Sequence, residues 1–268
     1  MKTASKIYAA LVFLFLYAPI IVLIVFSFNS SSSTSVFSGF SLRWYVSLFQ
    51  DKATLRAFYN TLILAVTSSV IATVLGTAAA VGINKYKKGF MRSSVMAVTN
   101  IPMMNPEIVT GISMMLLFVF VGRLVNSEAV LGFGTLLIGH VTFGLPYIIL
   151  TVLPKLRQTD KNLAEAAQDL GCRPAQAFFK VVLPSIIPGI ITGMIMAFTL
   201  SLDDFIISYF TCGPGFQTLP IAIFAMTKKR VKPDMYALSA LIFVSILVLL
   251  ILYNFAQQKS DEKTKSKK

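Results

Sequence analysis

Six long runs of apolar positions, nearly free of charge, divide this chain: Ile7–Phe28, Thr61–Ile83, Val95–Val121, Val130–Leu153, Ser185–Leu202 and Tyr236–Ala256. A helix needs roughly 20 apolar residues to cross a hydrocarbon core about 30 Å thick. Five of the six runs reach that length alone. The fifth has 18 residues and reaches it only if the helix runs on past Asp203 and Asp204, to about residue 208. Backbone polar groups in lipid must be satisfied within the segment, so open strands are excluded and the runs are helices. The pattern predicts an all-α polytopic membrane protein with spans at about 7–28, 61–83, 95–121, 130–153, 185–208 and 236–256. One transmembrane domain then covers 1–258, followed by a basic tail at 259–268.

Between the fourth and fifth spans lies a polar, helix-forming island, 154–184. Asp160 can cap a helix, and Gly171 has the left-handed preference of a C-terminal cap. Leu163, Ala166, Ala167 and Leu170 fall at i, i+3, i+4 and i+7, a single apolar stripe. A second short helix can start at Pro174 and bury Phe178 and Val182, with Pro184 ending it at the membrane. Two short helices at a glycine-marked bend make a rigid peg. Elsewhere, Gly189 with Gly193, and Gly76 with Ala72 and Ala80, form small-residue faces that let helices approach closely.

Composition agrees with a membrane protein: 56% of residues are hydrophobic and 13% charged, about half the soluble share of charge. Lys2 and Lys6 precede the first run as in a signal peptide. Its 22 residues exceed a typical signal core and no Ala-x-Ala follows, so it is read as a retained span. The net charge of +13 is not a nucleic-acid signature. With the N-terminus inside, sixteen of the 24 Lys and Arg fall in inner segments. This positive-inside asymmetry places both termini in the cytoplasm. The outer cluster Lys228, Lys229, Arg230 and Lys232 runs against it, and the tail from Lys259 to Lys268 reads as an anchor near anionic lipid headgroups. Trp44 and Tyr45 fit an interfacial aromatic belt. Cys172 and Cys212 fall on opposite sides of the membrane, which excludes a disulfide between them.

Catalytic chemistry is missing from the sequence. There is no Gly-Lys pair for a phosphate-binding loop, no His-Glu-x-x-His and no Cys or His pair at metal spacing. The chain is read as neither an enzyme nor a holder of cofactor or metal. His140, the one histidine, falls inside the fourth span, where a hydrogen bond between helices and a proton relay are the two readings. Acidic residues in spans are functional suspects. Glu107 sits in Ile-Pro-Met-Met-Asn-Pro-Glu, where Pro102 and Pro106 break the third helix. Asp203 and Asp204 lie near the outer end of the fifth span, beside Phe205 and Tyr209. Such a set suits an organic cation through charge pairing and cation–π contact. The alternative is that Asp203 or Asp204 pairs with Lys228, Lys229 or Arg230 as a clamp or gate.

The island also carries a resemblance. Glu165-Ala166-Ala167, then Gly171, then Val181-x-Leu183-Pro184 resembles the EAA loop of ABC-importer permeases, departing only at Val181, where isoleucine is usual. Further matches are Ser27-Phe28-Asn29-Ser30, Trp44-Tyr45, Met103 to Val109, His140-Val141-Thr142-Phe143, Phe198 to Asp204 and Thr211 to Pro214. Together they resemble the C-type permease subunits of spermidine/putrescine importers. Those permeases often have Ser-Pro-Asp where this chain has Asn105-Pro106-Glu107. The resemblance implies a type I importer fold and a coupling role for Glu165, Ala166, Ala167, Gly171, Leu183 and Pro184. The implied partners are a homologous B-type permease in a heterodimer, two copies of an ATP-binding subunit that hydrolyses ATP, and an external substrate-binding protein. The implied place is a bacterial inner membrane. Competing readings are an importer for another small solute, an ion-coupled secondary transporter, and a membrane scaffold or receptor. The last two leave either the patterned island or the intramembrane carboxylates without a purpose.

Overall fold

The computed structural model describes residues 2–31, 36–86, 89–126, 130–160, 162–228, 234–245, 247–248 and 251. Helices dominate: α1 (Lys2–Ser27), α2 (Arg43–Gln50), α3 (Lys52–Lys85), α4 (Phe90–Met104), α5 (Glu107–Leu124) and α6 (Phe133–Gln158) come first. Then follow α7 (Leu163–Asp169), α8 (Pro174–Ala177), a π-helical turn (Phe178–Val182), α9 (Leu183–Asp203), α10 (Ile206–Thr211), α11 (Leu219–Thr227) and α12 (Asp234–Ser245). Among the described residues, five helices are long and apolar enough to span a membrane. The sixth expected span, 236–256, lies partly outside the described residues; its start is the shorter apolar helix α12. The tail at 259–268 lies outside them altogether. The chain divides into two compact units, 1–56 with 222–268, and 57–221.

In the unit 57–221, α6 is the central helix. Its Val141, Ile148, Ile149, Val152, Leu153 and Leu156 pack with Ala72, Ala80 and Ile83 of α3 and Ile186 and Ala197 of α9. Close approach depends on the glycines. A Cβ at Gly193 would collide with the Thr151 hydroxyl and lie 3.1 Å from the Ile148 Cα. One at Gly189 would lie 2.8 Å from Lys155 Cγ, and one at Gly76 would lie 2.8 Å from Ile148 Cγ2. The small-residue faces anticipated on the second and fifth spans are therefore the seams of this unit. Gly193→Leu is expected to cost about 1–3 kcal/mol through overpacking. It should lower the thermal midpoint of the detergent-solubilised protein, whereas Gly82→Leu, with open space around it, should not.

The second and fourth spans are longer than expected, starting at Lys52 and ending at Gln158, and the third and fifth are interrupted or ended differently, each for a backbone reason. The third breaks at Asn105–Pro106, while Pro102 stays inside α4. Asn105 is extended (φ −75°, ψ 140°), the conformation the following proline favours. Pro106 then starts α5, and its carbonyl accepts from the Val109 and Thr110 amides. The fifth helix does not run on past Asp203 and Asp204. It ends at Asp203, where Asp204 turns extended (φ −63°, ψ 121°). Its added length lies at the other end, where α8, the π turn and α9 form one 30-residue helix, Pro174–Asp203. Pro184 does not stop it. Proline lacks an N–H and its ring collides with the carbonyl four residues back, and the wider π turn before it absorbs both.

The unit formed by 1–56 and 222–268 contains α1, whose apolar side chains are largely exposed, as a lipid-facing helix requires. After it, Asn29 is fully buried and organises the following loop. Its amide donates to the Val36 carbonyl at 2.7 Å and its side-chain oxygen accepts from the Ser38 amide at 2.8 Å. Trp44 corrects the interfacial-belt expectation. It is buried, with Nε1 donating to the Asn29 carbonyl at 2.6 Å. Tyr45 bonds Ser27 at 2.7 Å and packs on Phe28, 5.2 Å between ring centres. These aromatics hold a loop together, because their polar tips find partners inside the protein.

Candidate functional site

Two regions gather the sequence-derived candidates. The first is the join between α9 and α10. Asp204 stands just before α10, and its carboxylate accepts from the Ser208 amide at 2.7 Å and the Ile207 amide at 3.3 Å. Phe205 holds the N-cap position, and the Asp204 side chain, one residue earlier, reaches past it to cap these two free N–H groups. That cap explains why a new helix starts here. His140 of α6 reaches the same place. Its Nε2 lies 3.0 Å from the Ser208 hydroxyl and 3.4 Å from Asp204 Oδ2, and its Nδ1 lies 2.7 Å from the Ser201 hydroxyl. Ser201 in turn lies 3.1 Å from the Ser68 hydroxyl of α3. Four helices thus meet in one buried polar cluster bordering a small cavity that Phe143, Gly144, Ala197, Leu200 and Ile207 also line. Of the two readings of His140, interhelical hydrogen bonding is what the structure displays.

The paired aspartates are unequal. Asp204 has its side chain 5% exposed and committed to the cap, whereas Asp203, the last residue of α9, is exposed. Phe205 and Tyr209 stack at 5.4 Å between ring centres, with Tyr209 partly open to the surface. Glu107 is the first residue of α5 and is exposed, within electrostatic reach of the Tyr147 phenol. Helices α5 and α10 pack together, with Gly111 against the Ile206 carbonyl and the Phe210 ring. Glu107 and the aspartates each lie within about one helical turn of that contact. Asp203, Asp204, Phe205 and Tyr209 thus gather at the α9–α10 join, and Glu107 stands one turn before the α5–α10 contact at Gly111. For the clamp alternative, Lys228 stacks over the Phe224 ring at 4.7 Å, and Lys229 and Arg230 lie outside the described residues.

The second region is the peg. Helix α7 ends in a Schellman motif: the Gly171 amide donates to the Gln168 carbonyl at 2.8 Å and the Cys172 amide to the Ala167 carbonyl at 3.0 Å. Gly171 holds φ at 88°, which closes this bend. Asp160 does not cap α7 as expected. Asn162 takes the N-cap position with no side-chain bond, and Asp160 Oδ1 instead accepts from the Asn162 amide at 3.0 Å, an Asx turn one step earlier. Pro174 opens α8, and Gln176 Oε1 accepts from the Arg173 amide at 3.1 Å. The stripe is only partly used within the chain. Ala167 and Ala177 are buried, but Leu170 is 87% exposed, and Leu163, Glu165, Ala166 and Pro184 are exposed too. Phe178, Val182 and Leu183 are half-buried rather than covered. Cys172 and Cys212 are both free.

Sequence reading missed Ser68, Ser201 and Ser208 as partners of His140. The available signal was local: Ser208 lies four residues after Asp204, and Ser201 three before it.

Residues 72–266 match the family described as the binding-protein-dependent transport system inner membrane component. The chain is 39% identical over 251 residues to the putrescine transport system permease protein PotI of Escherichia coli (strain K12), covering 93% of this chain and 89% of that protein. It is 37% identical over 257 residues to the spermidine/putrescine transport system permease protein PotC of the same organism, covering 95% and 92%. Among solved structures it resembles a bacterial ABC transporter involved in import of the acidic polysaccharide alginate. That likeness has a TM-score of 0.75 over 96% of this chain and 94% of the other, at 16% identity. The MetNI methionine ABC transporter, in an inward-facing form, matches with a TM-score of 0.58 over 76% and 93%, at 21% identity. Both likenesses concern the fold.

Proposed function

We propose, for a chain that belongs to the family of binding-protein-dependent transport system inner membrane components, a path for polyamine cations driven through its peg. The chain is a multi-pass permease subunit of an ABC importer and does no chemistry itself. It pairs with a homologous B-type permease, receives cargo from an external binding protein, and is moved by two copies of an ATP-hydrolysing subunit. Both termini and the peg face the cytoplasm. Putrescine and spermidine are the cargo named for its relatives, and their positive charges suit Glu107 and Asp203.

The observation that carries this reading is the unbroken helix from Pro174 to Asp203. At a rise of 1.5 Å per residue it is about 45 Å long. One end belongs to the peg, which leaves Leu170 and Glu165 uncovered for a partner groove; the other ends at the carboxylates. Closure of the ATPase pair displaces the peg, and the rigid helix carries the displacement to the α9–α10 join. Glu165, Ala166, Ala167 and Gly171 form the contact with the motor, and Leu183 and Pro184, directly after the π turn, mark where the thrust enters the span.

Reconstitution of the four-component importer in proteoliposomes tests this. Uptake of putrescine or spermidine is expected to require ATP and the binding protein, and Glu165→Arg is expected to reduce it by at least about tenfold through charge reversal at a protein contact. Uptake that proceeds without ATP, or ATP-driven uptake confined to another solute, would overturn the reading.

A further inference from the structure

We infer that His140 is a positioning residue of the transport path, holding Asp204 at the head of α10 so that movement of α9 reaches the carboxylates as a unit. This rests on the importer reading above. Movement along α9 is useful only if the chain beyond its end follows. Yet α9 stops at Asp203, and two non-helical residues separate it from α10. Such a join is compliant unless it is braced from the side.

His140 supplies the brace from α6. The inference places the ring proton on Nε2, the nitrogen that faces the two oxygens at the head of α10. Nε2–H then points at the Asp204–Ser208 pair, with Ser208 Oγ at 3.0 Å and Asp204 Oδ2 at 3.4 Å. Nδ1 is left as the acceptor of the Ser201 hydroxyl at 2.7 Å. The Ser201 oxygen then lies 3.1 Å from the Ser68 hydroxyl, whose proton is shared with the Ala65 carbonyl of its own helix at 3.3 Å. The chain of bonds has one direction, from α3 through α9 and α6 to the cap of α10. It joins the last turn of α9 to the first turn of α10 across the break, through a single imidazole that is itself buried. Asp204 is thereby fixed as a cap, and its neighbour Asp203 is left to meet the cation.

The two nitrogens have different tasks, which makes the inference separable from a packing role. Glutamine can place its amide N–H near the position of Nε2, while asparagine is too short and reaches only the Ser201 side. In the complete importer, reconstituted with its ATPase, partner permease and binding protein, the readout is putrescine transported per ATP hydrolysed. His140→Asn is expected to lower that ratio about tenfold, with ATP hydrolysis retained, as loss of a buried hydrogen bond at the join allows. His140→Gln is expected to keep the wild-type ratio. In a double-mutant cycle with Asp204→Asn, His140→Asn is expected to add nothing further, because both changes release the same cap. Should His140→Asn fail to assemble, Ser208→Ala serves instead and is expected to lower the ratio. Equal ratios for the Asn and Gln variants, full additivity in the cycle, or an unchanged ratio in Ser208→Ala would each overturn the inference. A wild-type complex that moves no polyamine would overturn the importer reading itself, a distinct result.

Discussion

Gly171→Val is expected to cut ATP-driven uptake by at least tenfold while the spans remain folded, because about 1–2 kcal/mol of left-handed backbone strain falls on the peg alone. Gly171 sits at φ 88° with nothing within 4 Å of where a Cβ would go. The cost is therefore conformational and not steric. A β-branched residue is a poor occupant of that region. Helix α7 has seven residues and one buried side chain, Ala167, so little else holds it against such a penalty. The two Schellman bonds would be the first to go. Gly171→Asn supplies the control, since asparagine tolerates the left-handed region and should keep most of the uptake. Circular dichroism and the thermal midpoint of the solubilised protein should barely change in either variant. Equal uptake in the valine and asparagine variants would remove the bend from the mechanism.

The second large effect separates the adjacent aspartates. Asp203→Asn is expected to reduce putrescine uptake by about tenfold or more with no loss of thermal stability, since an exposed charge near a cation contributes through Coulomb attraction alone. Asp204→Asn is expected to lower both uptake and stability, the latter by about 1 kcal/mol, because a charged cap over two backbone amides becomes a neutral one. The contrast follows from their surroundings. Asp204 accepts from Ile207 and Ser208, whereas Asp203 is exposed at the end of its helix. Parallel thermal unfolding and uptake measurements decide it, and matching profiles for the two variants would contradict the division of roles.

Much of this architecture was legible because lipid leaves the chain few choices. Apolar runs such as Thr61–Ile83 and Val130–Leu153 have to be helices, and the glycine spacing at Gly189 and Gly193 marked a real seam. Gly171 and Pro174 announced the bend and the helix after it. Proline was the ambiguous sign. Pro106 ends one helix and begins another, but Pro102, Pro146 and Pro188 lie inside helices, and Pro184 follows a π turn that lets the helix through. Whether a proline breaks a helix depends on whether neighbours and local widening can absorb the missing bond, which a linear reading cannot weigh. The same limit hid the site's support. His140 is bound to Ser201 and Ser208, 61 and 68 residues away, and Ser201 to Ser68, 133 residues away. Serine in a span can bond its own helix, as Ser68 does to the Ala65 carbonyl, and only the packing reveals its partners on other helices. Trp44 was misread for a related reason: the carbonyl its indole finds belongs to Asn29, in a loop without periodicity.

The central claim is that the peg at 163–184 seats in a separate ATP-hydrolysing subunit. Cys172 offers a native reporter, since it is free, partly exposed and one residue past the Gly171 bend. In a Cys212→Ser background, the rate of maleimide labelling at Cys172 can be compared between the permease pair alone and the assembled importer. Occlusion of the peg predicts rapid labelling of the permease pair and strong protection once the ATPase subunits bind, with Glu165→Arg restoring the rapid rate. Labelling of Cys172 at the same rate with and without the ATPase subunits would contradict the claim.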